Sequence, residues 1–143
     1  MFNLLIRDVM ERKKAVSAPP QTTVSKAAQM MAKKNVGAVM VVEQERLVGI
    51  FTERDALFRV IARNLDPKTT ALSEVMTADP HTVEPRQTFG YALMLMQENG
   101  FRHAPVTENG KPIGMVSSRN AMDPDLEEFV SESSRREFFR ECR

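Results

Sequence analysis

The sequence is poor in the residues that build disulfides, metal centres and nucleophilic active sites. Its 143 residues include one cysteine and two histidines. Cys142 has no second cysteine to pair with, which excludes an internal disulfide and a thiolate-rich metal cluster. His81 and His103 have no carboxylate or thiol at metal-ligand spacing, and no Ser-His-Asp or Cys-His order is suggestive. We therefore expect no metal site and no catalysis.

Long apolar runs, aromatic residues and excess positive charge are also scarce. The longest apolar run, VGAVMVV at 36–42, is far below the roughly 20 residues that span a bilayer. The segment MFNLLIRDVM at 1–10 lacks the basic region and long apolar core of a secretion signal. One tyrosine, no tryptophan and a pI near 7.9 disfavour binding to nucleic acid. These absences predict a soluble cytoplasmic protein with neither a membrane nor a nucleic-acid partner.

What the sequence does contain is an internal repeat. Three segments recur in order, each with a later echo: RDVM (7–10) and SEVM (73–76), PPQTTVSKAAQMM (19–31) and EPRQTFGYALMLM (84–96), VGAVMVVEQERLVGIFTERD (36–55) and FRHAPVTENGKPIGMVSSRN (101–120). The offset is 65 positions in the two longer pairs and 66 in the first. Because solenoid arrays usually need three or more copies, two copies indicate a duplicated domain in pseudo-two-fold contact.

Each copy predicts the element order strand, helix, strand, strand, helix. Thr23 and Thr88 are plausible N-caps for helices with apolar residues at helical spacing. GAVMVV and ERLVGIF predict two strands joined by the polar turn EQE, and a further helix begins near Thr52. Neither copy has enough apolar surface for its own core. The sequence therefore predicts an α/β fold of two β-α-β-β-α repeats, residues 4–67 and 72–122, which share one core and precede a C-terminal helix in 123–143.

The end of each copy carries a recurring phrase, GIFTERD at 49–55 and GMVSSRN at 114–120. A hydroxyl at a helix start lies among unsatisfied N–H groups that favour phosphate, and Asp55 can accept both hydroxyl protons of a ribose. The same spacing also fits a capping box, in which hydroxyl and carboxylate satisfy helix-end donors. Gly49 and Gly114 leave room for close approach of a ligand or of another chain segment. Spacing alone leaves both interpretations open.

The helix, the apolar strand pair and the terminal Gly-x-x-Thr/Ser-x-x-Asp/Asn phrase occur twice in order, and this arrangement resembles a tandem pair of CBS domains, the modules named after cystathionine β-synthase. The resemblance covers roughly residues 4–122. It implies a compact pair, often called a Bateman module, whose cleft commonly holds an adenosine-containing ligand and which regulates an enzyme or transporter. It also implies a homodimer formed through the helices. The client protein stays unidentified.

By the family's pattern, each site joins the phrase of one repeat to the first strand and apolar strand of the other. The resemblance therefore implies two sets of residues, the first Thr52, Arg54, Asp55, His81, Thr82, Phe101 and Arg102, the second Ser117, Arg119, Asn120, Val16, Ser17, Val36 and Gly37. Arg54 and Arg102 suit phosphate, and Phe101 suits a purine, although singly they also fit surface and core positions.

The implied ligands are AMP, ADP, ATP, NAD or S-adenosylmethionine, and no cofactor is required. Asn120 keeps no charge, so a ribose is expected to be held less firmly there than at Asp55. The alternative function is a ligand-free interaction module in which both phrases only cap helices.

Overall fold

The computed structural model describes residues 2–11 and 15–121, so the expected C-terminal helix in 123–143 lies outside the described residues. The elements follow in chain order: α1 (Ile6–Val9), β1 (Ser17–Ala18), α2 (Val24–Lys34), β2 (Ala38–Glu43), β3 (Arg46–Thr52), α3 (Glu53–Asp55) with a π-helix (Ala56–Ile61), α4 (Leu72–Val75), β4 (Thr77–Ala78), α5 (Phe89–Asn99), β5 (His103–Glu108), β6 (Lys111–Ser117) and a 3-10 helix (Ser118–Ala121). Within the described ranges no helix is both long and apolar enough to cross a membrane.

The two long helices begin and end where their local sequence predicts. The Thr23 side chain accepts a hydrogen bond from the Lys26 N–H at 3.2 Å, and Thr88 caps α5 in the same way. Asn35 ends α2 and Gly100 ends α5, both in the left-handed conformation that terminates many helices. Both predicted N-caps are therefore confirmed.

Each repeat contributes one antiparallel hairpin, and the two hairpins have equivalent registers. Ala38 lies opposite Thr52 in β2–β3, and His103 lies opposite Ser117 in β5–β6. In the first repeat β1 runs parallel to β2 and completes, with β4, a four-stranded sheet. The equivalent of β1 in the second repeat is reduced to a single bridge between Val83 and Val106. The duplication thus preserves the hairpins more closely than the strands beside them.

The two repeats exchange their first helices. Ile6 and Met10, from α1 and its end, pack in the core cluster of the second repeat, whereas Leu72 and Val75 of α4 pack in that of the first. A third cluster, of Ala38, Met40, Ile50 and Met115, joins the two hairpins. Because each cluster takes residues from both halves, the expectation that the repeats share one core is confirmed in this form.

Gly49 and Gly114 make room for the exchanged segments. A Cβ atom on Gly114 would lie 3.0 Å from the Glu11 carbonyl oxygen, and one on Gly49 would lie 3.1 Å from that of Thr77. Contacts this close leave little space for a side chain. Of the two roles predicted for these glycines, the structure shows the approach of another chain segment.

Candidate functional site

Two cavities lie along the contact between the repeats, one beside each phrase. Cavity 1, of about 560 Å³, is bounded by the 117–120 segment together with residues that precede and open β2. Cavity 2, of about 590 Å³, is bounded by the 52–55 segment together with residues that precede and open β5. Each cavity therefore joins the phrase of one repeat to the apolar hairpin of the other.

Most of the residues that the resemblance implies line these cavities. Cavity 2 brings together Thr52, Arg54, Asp55, His81, Phe101 and Arg102. Cavity 1 brings together Val36, Gly37, Ser117, Arg119 and Asn120.

Three implied residues do not line either cavity. Val16 is buried in the core of the first repeat, and its carbonyl accepts the Met40 N–H at 2.8 Å. Ser17 is exposed on β1, and Thr82 is exposed beside the Val83 bridge. Ala15 and Pro80, which occupy equivalent positions at the offset of 65, line cavities 1 and 2. Of the expected first-strand residues, His81 alone lines a cavity.

The first phrase forms a complete capping box. The Asp55 carboxylate accepts the Thr52 N–H at 3.0 Å and the Thr52 hydroxyl at 3.2 Å, both through Oδ2. Its other oxygen lies 3.5 Å from Nε of Arg59. Asp55 is only 8% exposed. A carboxylate offers about four acceptor positions, so capping does not exhaust this one.

The second phrase repeats these contacts with an amide. Oδ1 of Asn120 accepts the Ser117 N–H at 2.7 Å and the Ser117 hydroxyl at 3.3 Å. The Asn120 side-chain N–H donates to Glu11 at 3.4 Å. The first phrase therefore has the complete capping box that spacing predicted, whereas in the second phrase the observed bonds are those in which the Asn120 amide accepts from Ser117. The interpretation as ligand contacts is compatible with both.

Cavity 2 combines cations with a stacked pair of rings. The imidazole of His81 and the ring of Phe101 stack with centroids 5.4 Å apart and an interplanar angle of 8°. Arg54 donates to the Gly100 carbonyl at 3.1 Å and lies over the Phe58 ring. Arg59 and Arg102 complete a set of three guanidinium groups, against the carboxylates of Glu53 and Asp55. Aromatic faces and guanidinium forks are the groups that suit a base and a phosphate.

Cavity 1 is built from the equivalent backbone with different charges. Two arginines, Arg102 and Arg119, line it together with two carboxylates, Glu11 and Glu53. The Glu53 carboxylate lies over Gly37, since both its oxygens would be 2.6 Å from a Cβ atom added there. Among the described residues, cavity 1 thus has a smaller excess of cations than cavity 2.

Glu53, His103 and Glu11 were not anticipated as site residues. Burial lowers the pKa of His103, the Glu53 carboxylate opposes this shift, and the Arg102 guanidinium adds to it. His103 and Glu53 directly follow the implied residues Arg102 and Thr52 in the chain. Adjacency to those positions is the signal that would have identified His103 and Glu53, whereas Glu11 neighbours no implied residue in the sequence.

The sequence matches known proteins along most of its length. The family model for the CBS domain matches residues 6–62 and 72–124. YhcV of Bacillus subtilis, a CBS domain-containing protein, is 34% identical over 112 residues, which cover 78% of this chain and 79% of YhcV. CBSCBSPB1 of Arabidopsis thaliana is 38% identical over 104 residues, or 72% of this chain, but this chain spans only 19% of that protein.

Solved structures share the fold. An uncharacterized conserved protein from Pyrococcus horikoshii has a TM-score of 0.80 at 25% identity, covering 87% of this chain and 94% of that one. A hexameric CBS-CP12 protein from bloom-forming cyanobacteria has a TM-score of 0.77 at 26% identity, with 97% and 86% covered. The CBS domain pair of MJ0100, solved with 5′-methylthioadenosine and S-adenosyl-L-methionine, has a TM-score of 0.75 at 21% identity, with 90% and 97% covered. The two matched segments, the exchanged helices and the paired hairpins lead to one conclusion: this chain belongs to the CBS domain family and forms a tandem CBS pair.

Proposed function

We propose that this CBS pair is a non-catalytic regulatory module that binds an adenosine-containing nucleotide in cavity 2 and signals to a partner protein. One observation carries the proposal. A buried carboxylate, a stacked ring pair and an arginine whose side chain no described residue binds converge in cavity 2, whose volume of about 590 Å³ lies within the range of small-molecule sites.

Each part of an adenosine nucleotide has a counterpart in cavity 2. The remaining acceptor positions of Asp55 suit the two hydroxyl protons of a ribose. The exposed faces of the His81–Phe101 pair suit a purine, and the Arg102 guanidinium suits phosphate oxygens. The MJ0100 pair, whose fold this chain shares, was solved with two adenosine compounds. The fold can therefore accommodate this ligand class.

Calorimetric titration against AMP, ADP, ATP, NAD, S-adenosylmethionine and adenosine tests the proposal. Saturable binding of at least one phosphorylated compound is expected, and Asp55→Ala should weaken it. Glu74→Ala is the matched control, because Glu74 accepts the Ala71 N–H at 2.7 Å as a helix cap but lines neither cavity. If Asp55→Ala lowers stability as Glu74→Ala does and leaves affinity unchanged, Asp55 serves only as a cap.

A ligand-free interaction module is the second candidate. The observation that favours it is that the hydrogen bonds of both phrases are satisfied within the chain. A chain that binds none of the six compounds at millimolar concentration, yet binds a protein partner or itself, would support this function over the first.

We also propose that the pair forms a homodimer through an apolar surface beside cavity 2. This apolar surface comprises Leu57, Phe58, Ile61 and Leu65, which are 40 to 66% exposed. Contiguous exposed apolar side chains on a small domain usually mark an interface. Leu57 and Phe58 also line cavity 2 and follow Asp55 on the same helical stretch. A ligand that contacts Asp55 is thus one helical turn from the surface that a partner would cover.

Sedimentation analysis tests the assembly. The unmodified chain is expected to sediment as a dimer at micromolar concentration. Ile61→Glu should shift it toward monomer, because it buries a charge in the apolar surface while Ile61 lines neither cavity. Gln21→Glu adds the same charge at an exposed position elsewhere and should have no effect. A monomer, or a hexamer that Ile61→Glu does not disturb, would contradict this interface.

A further inference from the structure

Three side chains line both cavities and form the wall between them: Glu53, Arg102 and His103. Burial lowers the pKa of His103, so its imidazole is uncharged at neutral pH. Among residues 2–11 and 15–121, Arg102 is therefore the one cationic side chain that lines both cavities.

The repeat explains why one cation serves two cavities. The position equivalent to Arg102, at the offset of 65, is Gly37, which has no side chain to offer cavity 1. The space beside Gly37 holds the Glu53 carboxylate instead. If the two repeats were identical at this position, each cavity would have its own arginine. Here the two cavities share Arg102.

Arg102 differs from the other arginines of cavity 2 in how it is held. Arg54 donates to the Gly100 carbonyl, and Arg59 donates to the Met76 carbonyl at 2.9 Å. The Arg102 side chain is exposed, and no residue in the described ranges holds it by a hydrogen bond or an ion pair. Its backbone is fixed, because its carbonyl accepts the Ser118 N–H at 3.0 Å. The Arg102 guanidinium thus borders both cavities from a fixed backbone, with no side-chain bond in the described ranges that commits it to either one.

We propose that the two cavities compete for Arg102, so that a nucleotide bound in cavity 2 lowers the affinity of cavity 1 for a second nucleotide. This inference rests on the proposed function. To pair bidentately with a phosphate in one cavity, the Arg102 guanidinium must turn its fork toward that cavity and away from the other. By linkage, occupation of cavity 1 weakens binding in cavity 2 by the same factor. Adenosine has no phosphate and escapes the competition.

Site-resolved NMR titration with AMP tests the competition. The backbone amides of Gly37 and Gly100 report on cavities 1 and 2, since each glycine lines only one of them. In the unmodified chain, AMP in one cavity should lower the AMP affinity of the other by at least about fivefold, which is at the low end of common allosteric couplings. Arg102→Gln should weaken AMP binding at Gly100, and the factor that couples the two affinities should fall to one. Arg86→Gln, an exposed arginine outside both cavities, is the matched control and should preserve the coupling.

Several outcomes would overturn the inference. One is that AMP binds the two cavities of the unmodified chain independently, and another is that AMP binds at Gly100 but not at Gly37. The inference also fails if Arg102→Gln leaves the coupling between the cavities intact, or if adenosine shows the same coupling as AMP. If neither AMP nor ADP, ATP or NAD shifts either glycine, the proposed function fails and the inference fails with it. The Gly100 isotherm thus separates the two failures, because it is present when only the competition is wrong.

Discussion

Cavities 1 and 2 are built on equivalent backbones but carry different side chains. The Glu53 N–H donates to the Gly37 carbonyl at 3.0 Å, and at the offset of 65 the Ser118 N–H donates to the Arg102 carbonyl at the same distance. Around this common frame, Asp55 in cavity 2 is replaced by Asn120 in cavity 1. The backbone hydrogen bonds and caps survive these changes because they do not depend on side-chain charge.

The difference shows which features of a duplicated site are free to diverge. Capping tolerates either an amide or a carboxylate, since both offer an oxygen acceptor to the helix-end N–H. Charge is not fixed by capping, and here it separates the cavities. Asp55, whose one ion pair within residues 2–11 and 15–121 is with Arg59, faces cavity 2, whereas the Asn120 amide donates to Glu11 in cavity 1. The cap therefore constrains the acceptor oxygen of the phrase and leaves the charge that faces each cavity free to differ.

The largest expected effect is the loss of nucleotide affinity on removing Asp55. Asp55→Ala should weaken AMP binding by more than about 1.5 kcal/mol, the scale of hydrogen bonds to a charged group. Asn120→Ala should cost less, because an amide makes no charge-assisted bond. Calorimetry on both variants, at a temperature where circular dichroism shows them folded, measures the difference. Equal losses of affinity would remove the distinction between the two cavities.

A smaller gain is expected from making cavity 1 resemble cavity 2. Gly37→Arg combined with Glu53→Ser installs the equivalents of Arg102 and Ser118 and removes the carboxylate that would meet the new side chain. AMP affinity measured at cavity 1 should rise by about 1 kcal/mol, the scale of an exposed charged pair.

Gly37→Ala with Glu53→Ser is the matched control for that variant. It removes the same carboxylate and adds a Cβ atom but no guanidinium. If this control raises the AMP affinity of cavity 1 as much as the arginine variant does, Glu53 alone accounts for the weakness of cavity 1, and the missing cation at position 37 is irrelevant.

The features that could be predicted from the sequence are local ones. Thr23 and Thr88 bond to backbone N–H groups three residues away, and Asp55 bonds to Thr52 within one turn. Such contacts depend on residue type and spacing, which the sequence displays directly. The repeat offset also indicated which residues would meet across the pair, and Phe101 and Arg102 do lie beside the first phrase in cavity 2.

The features that could not be predicted depend on distant packing. Nothing in IRDVM (6–10) or LSEVM (72–76) shows that Ile6 would join the core cluster of Phe89, or Leu72 that of Phe51, because short apolar motifs fit either repeat equally well. The inward orientation of Val16 depends on where β1 joins the sheet, and a shift of one residue reverses the face of every side chain. Partner choice and strand register are properties of the assembled core.

The smallest expected effect is a loss of stability at mildly acidic pH that belongs to the second repeat alone. The position equivalent to His103 in the first repeat is Ala38, so the titrating group has no counterpart there. Burial lowers the pKa of His103 in the folded chain, and Arg102 lowers it further, while Glu53 opposes the shift. An unfolded histidine titrates near about 6.5, so below that pH the unfolded chain binds the proton more readily. The contribution of His103 to the free energy of unfolding is therefore complete above that pH and is lost as the pH falls through the folded-state pKa.

Denaturant unfolding at pH 7.5 and 5.5 tests this dependence. Between these two pH values the free energy of unfolding should fall more in the unmodified chain than in His103→Gln. His81→Gln retains His103, so it should keep the full decrease due to that residue. An identical loss in His103→Gln and the unmodified chain would show that Glu53 cancels the effect of burial, and that the wall between the cavities has no pH dependence of its own.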